Sequence, residues 1–469
     1  MAAASPHGGF LTLLKKRNFL LLWLAQLISQ TILMASNYAI LVLIEEDTGS
    51  TTLVGLAIIA FSLPALIIGA PAGVFVDHRN KRRILWYSNC LRAIATFGFV
   101  ISLLINRKEI IIIYLLTFLI ASIGQFFTPA EGASIPMLVD EEELTPALSL
   151  FNITFMLSQA LGFIIFAPII LILLPPTFTI FNLLVYPVDI LYLIIGILYL
   201  VCAVLIALIP PASFIDPKHP DNLPIGSQSL GAIQNLWNEV REGWNFIRRK
   251  RKLYLAVIQL SIAGVLLLVI GELATPLVTK LFKLPASSMA IVFAPAGIGL
   301  VLGSLVMPRI LQRMSKPRTI FIGSIAFAII VTLLPLSTLL GNFMQQHGLS
   351  AQPIYLGADP FLMFFAGVAI DFINIPAQTA VQEYTPERLK GRVLALQLML
   401  YNALSIPVIL FIGGIADTLG LPIVIYLVAA SIIAFGLWGR YYENKHKHSF
   451  TGDLHEETAE LTEPERVSR

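Results

Sequence analysis

Three ionisable residues lie inside long apolar runs of this 469-residue sequence: Arg92, Glu272 and Asp371. A charged group within a membrane-spanning segment costs free energy and is a functional candidate by default. Burial favours the neutral form of a carboxylic acid, so Glu272 and Asp371 could bind and release a proton reversibly. Plainer interpretations exist for two of the three. Glu272 could reach water on the outer side, and Arg92 could pair structurally or extend its guanidinium to the lipid headgroups.

Neutral polar residues in the same runs could line a substrate cavity or hydrogen-bond one helix to another. Gln26, Gln30 and Asn37 follow one another at intervals of 4 and 7 residues, which places them on one face of a helix. A cavity wall and an interhelical contact are both compatible with that face. The other predicted cavity-lining residues are Asn152, Gln159, Asn402 and Asn374, which follows Asp371 by about one helical turn.

The composition indicates which solvent surrounds these residues. Hydrophobic residues make up 57% of the chain and charged residues 13%, against about 45–50% and about 25% in soluble proteins. A single core cannot bury that much apolar surface, so a soluble multidomain enzyme and a disordered chain are excluded. The net charge of +3 is too small to indicate a nucleic-acid partner. We therefore predict an integral membrane protein.

The residues that would indicate a cofactor or catalytic chemistry are missing from the sequence. Cys90 and Cys202 both lie in apolar runs, which predicts packed side chains rather than a disulfide or a thiolate metal site. The sequence contains no glycine-x4-glycine-lysine-serine loop for a nucleotide. We predict no cofactor, no metal and no enzymatic activity. A membrane-embedded enzyme and a non-transporting sensor with a transporter fold are the alternatives from other classes.

Apolar runs long enough to cross a bilayer, about 20 residues each, recur twelve times. The predicted fold is an all-α membrane protein with twelve transmembrane helices in two six-helix halves. Its spans are 19–43, 53–76, 84–105, 110–128, 147–172, 190–210, 253–278, 288–308, 319–340, 361–381, 393–416 and 421–440. The predicted domains are a six-helix bundle at 1–210, a linker with an amphipathic helix at 211–252, a second six-helix bundle at 253–440 and a charged tail at 441–469. The stretch 173–189 is predicted to be an outer loop, with a surface-lying segment as the alternative.

The distribution of positive charge orients these spans. With the N-terminus inside, the inside segments hold 26 of the 31 Lys and Arg residues and the outside segments hold 4. Positively charged residues collect in cytoplasmic loops, and a wrong number of spans would scatter them. The sequence therefore predicts a multi-pass protein of the plasma (inner) membrane with both termini in the cytoplasm.

Two short similarities indicate that the halves are related. Pro-Ala-Glu-Gly-Ala at 129–133 ends the fourth span, and Pro-Ala-Gln-Thr-Ala at 376–380 ends the tenth. The interval between Gly73 and Arg79 recurs between Gly and Arg at 303–309. Two related six-helix halves are typical of secondary transporters, whose substrate site lies at the midplane between the halves.

The loop after the second predicted span carries a family resemblance. The run at 73–83, Gly-Val-Phe-Val-Asp followed by basic residues, resembles the glycine-x-x-x-aspartate loop motif of the major facilitator superfamily. The runs at 129–152 and 385–393 are similar to its enterobactin-exporter-like and macrolide-efflux-like permeases. The resemblance covers about residues 10–440 and implies the fold of that superfamily. Its exporters often carry a glycine-proline pair in the fifth span, where this chain has Gly162 followed by Phe163.

The resemblance also implies a latch at the cytoplasmic ends of the helices. Gly73 has no Cβ, so a neighbouring helix could pack closely there. Asp77 could accept hydrogen bonds from the N-terminus of the eleventh span, whose dipole favours an anion. The predicted latch consists of Gly73, Asp77, Arg79, Arg83, Gly391 and Arg392.

Together these features predict a secondary active transporter that works by alternating access. We expect it to export an amphipathic or hydrophobic small molecule, such as a drug or a siderophore-like compound, against the entry of protons. A lipid or lysophospholipid permease is the alternative within transport. The expected partners are the small-molecule substrate, the proton and the lipid bilayer, and we expect a monomer.

Overall fold

The computed structural model of the chain describes residues 10–77, 79–140, 143–175, 177–180, 183–214, 241, 244–285, 288–350, 353–386 and 390–445. Twelve of its helices are long and apolar enough to cross a membrane. This finding confirms the predicted number of spans. Large apolar side chains such as Ile94, Ile105 and Leu173 are 65%, 80% and 76% exposed on the helices, as suits a surface that faces lipid.

The first half of the chain forms eight helices and one short hairpin. Their bounds are α1 (Phe10–Lys15), α2 (Arg17–Thr48), α3 (Thr51–Asp77), α4 (Lys81–Ile105), α5 (Ile110–Leu138), α6 (Leu144–Ala160), a π-helix (Leu161–Phe166), α7 (Ala167–Leu173), β1 (Phe178–Ile180), β2 (Leu183–Val185), α8 (Pro187–Ala207) and a 3-10 turn (Pro211–Phe214). The antiparallel hairpin pairs Phe178 with Val185 and Thr179 with Leu184. It occupies part of the stretch predicted to be an outer loop.

The second half is helical throughout its described residues. Its elements are α9 (Arg251–Pro276), a π-helix (Leu277–Leu281), α10 (Met289–Leu311), α11 (Lys316–Gln346), a second π-helix (Ile354–Ala358), α12 (Asp359–Glu383), α13 (Lys390–Leu419) and α14 (Leu421–Lys445). Most of the predicted linker, at 215–240 and 242–243, lies outside the described residues, and so does most of its amphipathic helix. The tail from residue 446 onward also lies outside them.

The contacts divide the chain into two compact units. The N-terminal unit comprises Met1–Ile225 with Glu272–Thr279 and Lys283–Ala290, and the C-terminal unit comprises the remainder. Within the first, α4 packs on α8 and α5, and α3 packs on α5. Within the second, α11 packs on α12 and α14. The predicted domain bounds stay predictions.

The fourth span is longer than predicted, and this corrects its predicted end at residue 128. Helix α5 continues through Pro129 and Pro136 to Leu138. Pro129 suggested the end of the span because proline removes a backbone donor. In a membrane, neighbouring helices and local adjustments can satisfy the freed backbone groups, so a helix there tolerates proline. The extension brings Glu131 inside a spanning helix.

Glycine allows very close packing between α10 and α12 in the C-terminal unit. A Cβ on Gly299 would lie 2.0 Å from the carbonyl oxygen of Phe364, and one on Gly367 would lie 2.0 Å from that of Ala296. The α3–α5 pair in the N-terminal unit is looser. There, a Cβ on Gly69 would meet its nearest described atom, Oε1 of Gln125, at 3.6 Å. The glycines of these two helix pairs therefore differ in how closely the partner helix approaches them.

Candidate functional site

Arg92 on α4, one of the predicted coupling residues, lies in the interior of the N-terminal unit. Its side chain is 1% exposed, and its Nη1 donates a hydrogen bond to Oγ of Ser29 on α2 at 3.0 Å. Its Cζ lies 4.8 Å from the ring centroid of Phe127 and 5.6 Å from that of Tyr199. Cation–π contacts of this kind stabilise a desolvated cation. The burial excludes the interpretation in which Arg92 extends to the headgroups.

The backbone of α5 leaves room for this guanidinium. A Cβ on Gly124 would lie 2.9 Å from Nη2 of Arg92, closer than side-chain carbons normally approach. Any larger residue at position 124 would push the guanidinium away from Phe127. The position of Arg92 is thus set by contacts with α2, α5 and α8.

Glu131 on α5 is a fully buried acid in the same region, and it is not among the predicted site residues. Its side chain is 0% exposed, and it interacts electrostatically with Arg92. Neither of its carboxyl oxygens has a hydrogen-bond partner among the described residues. A signal for Glu131 does exist in the sequence. It is the only charged residue between Glu109 and Asp140, and that interval is long enough for a spanning helix to contain it.

Asp371 on α12 packs against α10 in the C-terminal unit. It is 5% exposed, and a Cβ on Gly303 would lie 2.6 Å from its Oδ2. The backbone amide of Ser304 donates to the Asp371 carboxyl, while Oδ2 has no hydrogen-bond partner among the described residues. No charged side chain of the described residues acts on this carboxyl. Asp371 is therefore a buried acid without a counter-ion in the described part of the chain.

Two further acids are buried in spanning helices. Glu272, a predicted coupling residue, is 0% exposed, so its carboxyl does not reach water as the plainer interpretation supposed. Asp359, outside the predicted tenth span, is the first residue of α12 and is also fully buried. Its Oδ2 accepts a hydrogen bond from Oγ of Ser337 at 3.1 Å. Asp359 is a second acid that the predicted ends of the spans concealed.

A polar cluster connects helix ends that are predicted to face outward. The guanidinium of Arg107 donates to Asp47 at 2.9 Å and to Asp189 at 3.4 Å. In the same unit, Oγ1 of Thr279 donates to Oε1 of Glu45 at 2.8 Å. These bonds connect α2 to the α4–α5 loop, to α8 and to the π-helix after α9. The cluster thus fixes the spacing of these helix ends.

Only some of the predicted latch residues have side chains within the described part of the chain. The side chains of Asp77 and Arg392 lie outside the described residues, although the backbone at these positions and at Gly391 belongs to α3 and α13. A Cβ on Gly73 would meet no described atom within 4 Å. The close helix contact predicted at Gly73 is therefore not seen among the described residues.

Arg79 and Arg83, the remaining latch residues, line one cavity in the N-terminal unit. This cavity, of about 640 Å³, also has Phe75 and Tyr87 in its wall. The guanidinium of Arg79 lies 5.7 Å from the ring centroid of Phe75. The side chain of Asn80, between the two arginines, accepts a hydrogen bond from the backbone amide of Arg83 at 3.1 Å and caps α4. The two arginines are thus placed by the turn between α3 and α4.

The predicted cavity-lining residues fall into two groups by exposure. Gln26, Gln30 and Asn402 are buried, and Nε2 of Gln26 donates to the carbonyl oxygen of Phe151 at 3.1 Å. Gln26 therefore joins α2 to α6. The remaining predicted residues are the partly buried Asn37 and Asn374 and the exposed Asn152 and Gln159.

The fifth span is irregular near Gly162, where exporters of the resembled family often carry a glycine-proline pair. Gly162 belongs to the π-helix between α6 and α7. A Cβ there would lie 2.1 Å from the carbonyl oxygen of Thr31 on α2. The close approach of two helices is thus present at Gly162 although Phe163 follows it in place of proline.

Comparison with curated proteins finds two kinds of relative. Residues of this chain are 29% identical to macrolide efflux protein A of Streptococcus pyogenes over 158 residues. That match covers 32% of this chain and 38% of the relative, well under half of its length. The uncharacterized MFS-type transporter YfiS of Bacillus subtilis (strain 168) is 22% identical over 385 residues, which cover 81% of this chain and 82% of that protein.

Solved structures share the fold at low identity. A variant of the nucleoside transporter NupG aligns with a TM-score of 0.67 at 14% identity, covering 90% of this chain and 99% of that chain. A bacterial homologue of the iron transporter ferroportin in an inward-facing state aligns with a TM-score of 0.66 at 14% identity, covering 92% and 99%. Identities this low establish the fold alone.

The family model for the Major Facilitator Superfamily matches residues 22–407. This match extends over most of the chain, and the twelve spanning helices and the structural neighbours agree with it. The resemblance seen in the loop motif is therefore confirmed. The chain belongs to the Major Facilitator Superfamily, and it is a multi-pass membrane protein with the fold of that family.

Proposed function

We propose that this transporter exports an amphipathic or hydrophobic small molecule in exchange for protons. Similarity to a macrolide efflux protein over 158 residues supports export. The observation that carries proton exchange is the burial of the Asp371 carboxyl group within a spanning helix of the C-terminal unit. A buried acid that changes its water access during the transport cycle can take a proton from one side and give it to the other.

Asp371 is the proposed coupling residue of the C-terminal unit. Its carboxyl lies against the backbone of Gly303 and Ser304, so a shift of α12 along α10 would change its environment. Glu272 is a second candidate for coupling, and Arg92 is a third. The charge distribution further supports an orientation in the plasma membrane with both termini in the cytoplasm.

The latch is a proposal for the ends of the helices on the cytoplasmic side. Arg79 and Arg83 lie near the turn that follows Asp77, and the eleventh span begins near Gly391 and Arg392. A carboxylate at a helix N-terminus gains from the backbone amides and the helix dipole. We therefore propose that Asp77 closes this side of the protein when it accepts those amides.

Transport can be measured with purified protein in liposomes under an imposed pH gradient. We expect the gradient to drive accumulation of a radiolabelled macrolide, and collapse of the gradient with a protonophore to abolish it. Asp371→Asn should lose the dependence on the gradient. Glu383→Gln, which neutralises an exposed acid at the end of the same helix, should keep it.

The outcome can also separate the alternative substrates. Competition of the macrolide flux by lysophospholipid, with no competition by other hydrophobic drugs, would favour the lipid permease. Absence of gradient-driven flux for a panel of drugs, siderophores and lysolipids would count against export by proton exchange. Binding of such a compound without any flux would favour the sensor.

A further inference from the structure

Glu131 follows Phe127 by one helical turn on α5, and Arg92 lies over the ring of Phe127, so the two buried ionisable groups are neighbours in the N-terminal unit. We propose that Glu131 is a proton-binding site of the N-terminal unit, and that Arg92 is the counter-charge that promotes release of its proton. The proposal rests on the proton exchange proposed above and adds to it a specific residue in the other half of the chain.

The depth of the pair fits a site within the membrane. Glu131 precedes the end of α5 at Leu138 by seven residues, and Arg92 follows the start of α4 at Lys81 by eleven. At about 1.5 Å per residue, these intervals correspond to about 10 Å and about 16 Å from the helix ends that are predicted to face the cytoplasm. Glu131 thus lies about two helical turns, and Arg92 about three, from the helix ends that are predicted to face the cytoplasm.

The surroundings of Glu131 contain one strong charge. Arg92 acts on it from α4, and the thiol of Cys202 comes close from α8. Helix α6 contains no charged residue, and the only one in α3 is Asp77, whose side chain lies outside the described part of the chain. At this depth α2 contributes the neutral Ser29. The charge state of Glu131 is therefore controlled chiefly by Arg92 and by access to water.

Arg92 can remain charged whether or not Glu131 holds a proton. Its hydrogen bond goes to Ser29, and its two ring contacts are with Phe127 and Tyr199. None of these three partners needs to ionise. Neutralisation of Glu131 would therefore leave the buried guanidinium with partners, and would avoid the large cost of an isolated buried charge.

Unlike the guanidinium of Arg92, the carboxyl of Glu131 lacks hydrogen-bond partners for its charged form among the described residues. As an anion it would need hydrogen-bond donors or a close cation, and neither oxygen accepts a hydrogen bond from the described residues in this conformation. One proton from water on the outer side would bind one carboxylate oxygen to give the neutral acid. In the conformation that admits water from the other side, the same O–H bond breaks, the proton leaves to that water, and the carboxylate pairs with Arg92.

The related position in the second half has lost this ability. Glu131 corresponds to Gln378 in the repeated Pro-Ala segment, and Gln378 is exposed. An amide cannot take part in proton exchange at neutral pH. The pair of Glu131 and Arg92 is therefore a property of the first half and not a consequence of the repeat.

Infrared difference spectra of the full-length protein in lipid membranes, recorded on a change of pH, test the proposal without a substrate. Wild-type protein should show the C=O band of a carboxylic acid. Glu131→Gln should remove part of that band, whereas Glu383→Gln, the matched exposed acid, should leave it unchanged. A spectrum of Glu131→Gln identical to that of wild type would overturn the proposal.

Transport measurements then connect the site with coupling. In liposomes, Glu131→Gln should lose at least tenfold in gradient-driven macrolide accumulation while it retains exchange of labelled for unlabelled macrolide at equal pH. Glu131→Asp, which preserves the carboxyl, should recover gradient-driven transport in part and should shift the infrared band. If Glu131→Gln folds poorly, the infrared spectrum of Glu131→Asp tests the proposal instead. A C=O band that does not shift in Glu131→Asp would contradict the assignment of that band to Glu131.

The two proposals fail in distinguishable ways. If wild-type protein shows no gradient-driven flux, proton exchange itself is wrong, whatever the spectra show. If wild-type flux responds to the gradient and Glu131→Gln responds equally, exchange stands and the role of Glu131 is wrong.

Discussion

The two halves of this protein bury charge in different ways at related positions. Five residues before the repeated segment, Gly124 of the first half corresponds to Asp371 of the second. Gly124 has no side chain, and the space beside it holds the guanidinium of Arg92. Asp371 places its own carboxyl against Gly303 of α10, the helix that corresponds to α3 and not to α4.

The two halves therefore place buried charge between different helices: Arg92 lies between α4 and α5, whereas Asp371 lies between α12 and α10. The first half has a buried acid near a buried base, and the base has partners of its own. The second half has a lone acid held by backbone contacts in the described part of the chain. Removal of the partnered base should destabilise the protein, whereas removal of the charge of a lone buried acid should not.

The largest decrease in the free energy of unfolding should therefore follow replacement of Arg92. Arg92→Met removes the hydrogen bond to Ser29 and both ring contacts, and it leaves Glu131 without a cation among the described residues. A hydrogen bond to a charged group contributes about 1.5–3 kcal/mol, and a cation–π contact of a desolvated cation contributes about 2 kcal/mol. We expect a loss of this size in the free energy of unfolding, measured by denaturant titration in detergent.

Asp371→Asn is the matched comparison in the second half. It removes a charge that has no counter-ion in the described part, so it should leave the free energy of unfolding unchanged or raise it. Equal destabilisation by Arg92→Met and Asp371→Asn would contradict the distinction between a buried base that has partners and a lone buried acid.

An intermediate effect on stability should distinguish the α10–α12 pair from the α3–α5 pair. Gly367→Ala would force its Cβ against the backbone of α10 at 2.0 Å from the carbonyl oxygen of Ala296, and overpacking of this kind costs about 1–3 kcal/mol. Gly69→Ala meets only an ordinary contact at 3.6 Å and gains up to about 1 kcal/mol in helix propensity. Melting temperatures of the two variants should move in opposite directions. A lower melting temperature for both would show that α3 and α5 also depend on close approach.

The smallest decrease in stability should follow removal of an ion pair at the surface of the first half. Nζ of Lys16 donates to Asp140 at 2.6 Å and to Glu143 at 2.5 Å. These hydrogen bonds raise the pKa of Lys16 above its ordinary value of 10.5. The stabilisation is present at neutral pH and is lost as the pH rises through that raised pKa.

Lys16→Met should accordingly lower the melting temperature by less than Gly367→Ala does, because exposed ion pairs contribute little. The difference between Lys16→Met and wild type should vanish above the raised pKa of Lys16. A similarly small change is expected for Lys316→Met, which removes the pairing of Lys316 with Glu383 in the second half. A difference for Lys16→Met that persists at alkaline pH would assign the effect to packing instead of charge.

Much of the fold was predictable because the bilayer imposes simple rules. A spanning helix must be long and apolar, and positive charge must collect on one side, so twelve spans and the superfamily could be inferred from composition, hydropathy and one loop motif. The end of the fourth span could not be inferred from the sequence, because a proline such as Pro129 ends a helix in water but is tolerated in a packed membrane helix. That single difference concealed Glu131.

The sequence by itself therefore determined the solvent of this protein, the number of its helices, its family, and Arg92 and Asp371 as buried ionisable residues. Only the tertiary structure decided which groups these residues meet. Arg92 and Glu131 lie 39 positions apart in the chain and interact because α4 and α5 pack together, and Asp371 lies against Gly303 because α10 and α12 pack together. Hydropathy depends on each residue alone, whereas a charge in the membrane depends on its neighbours in space.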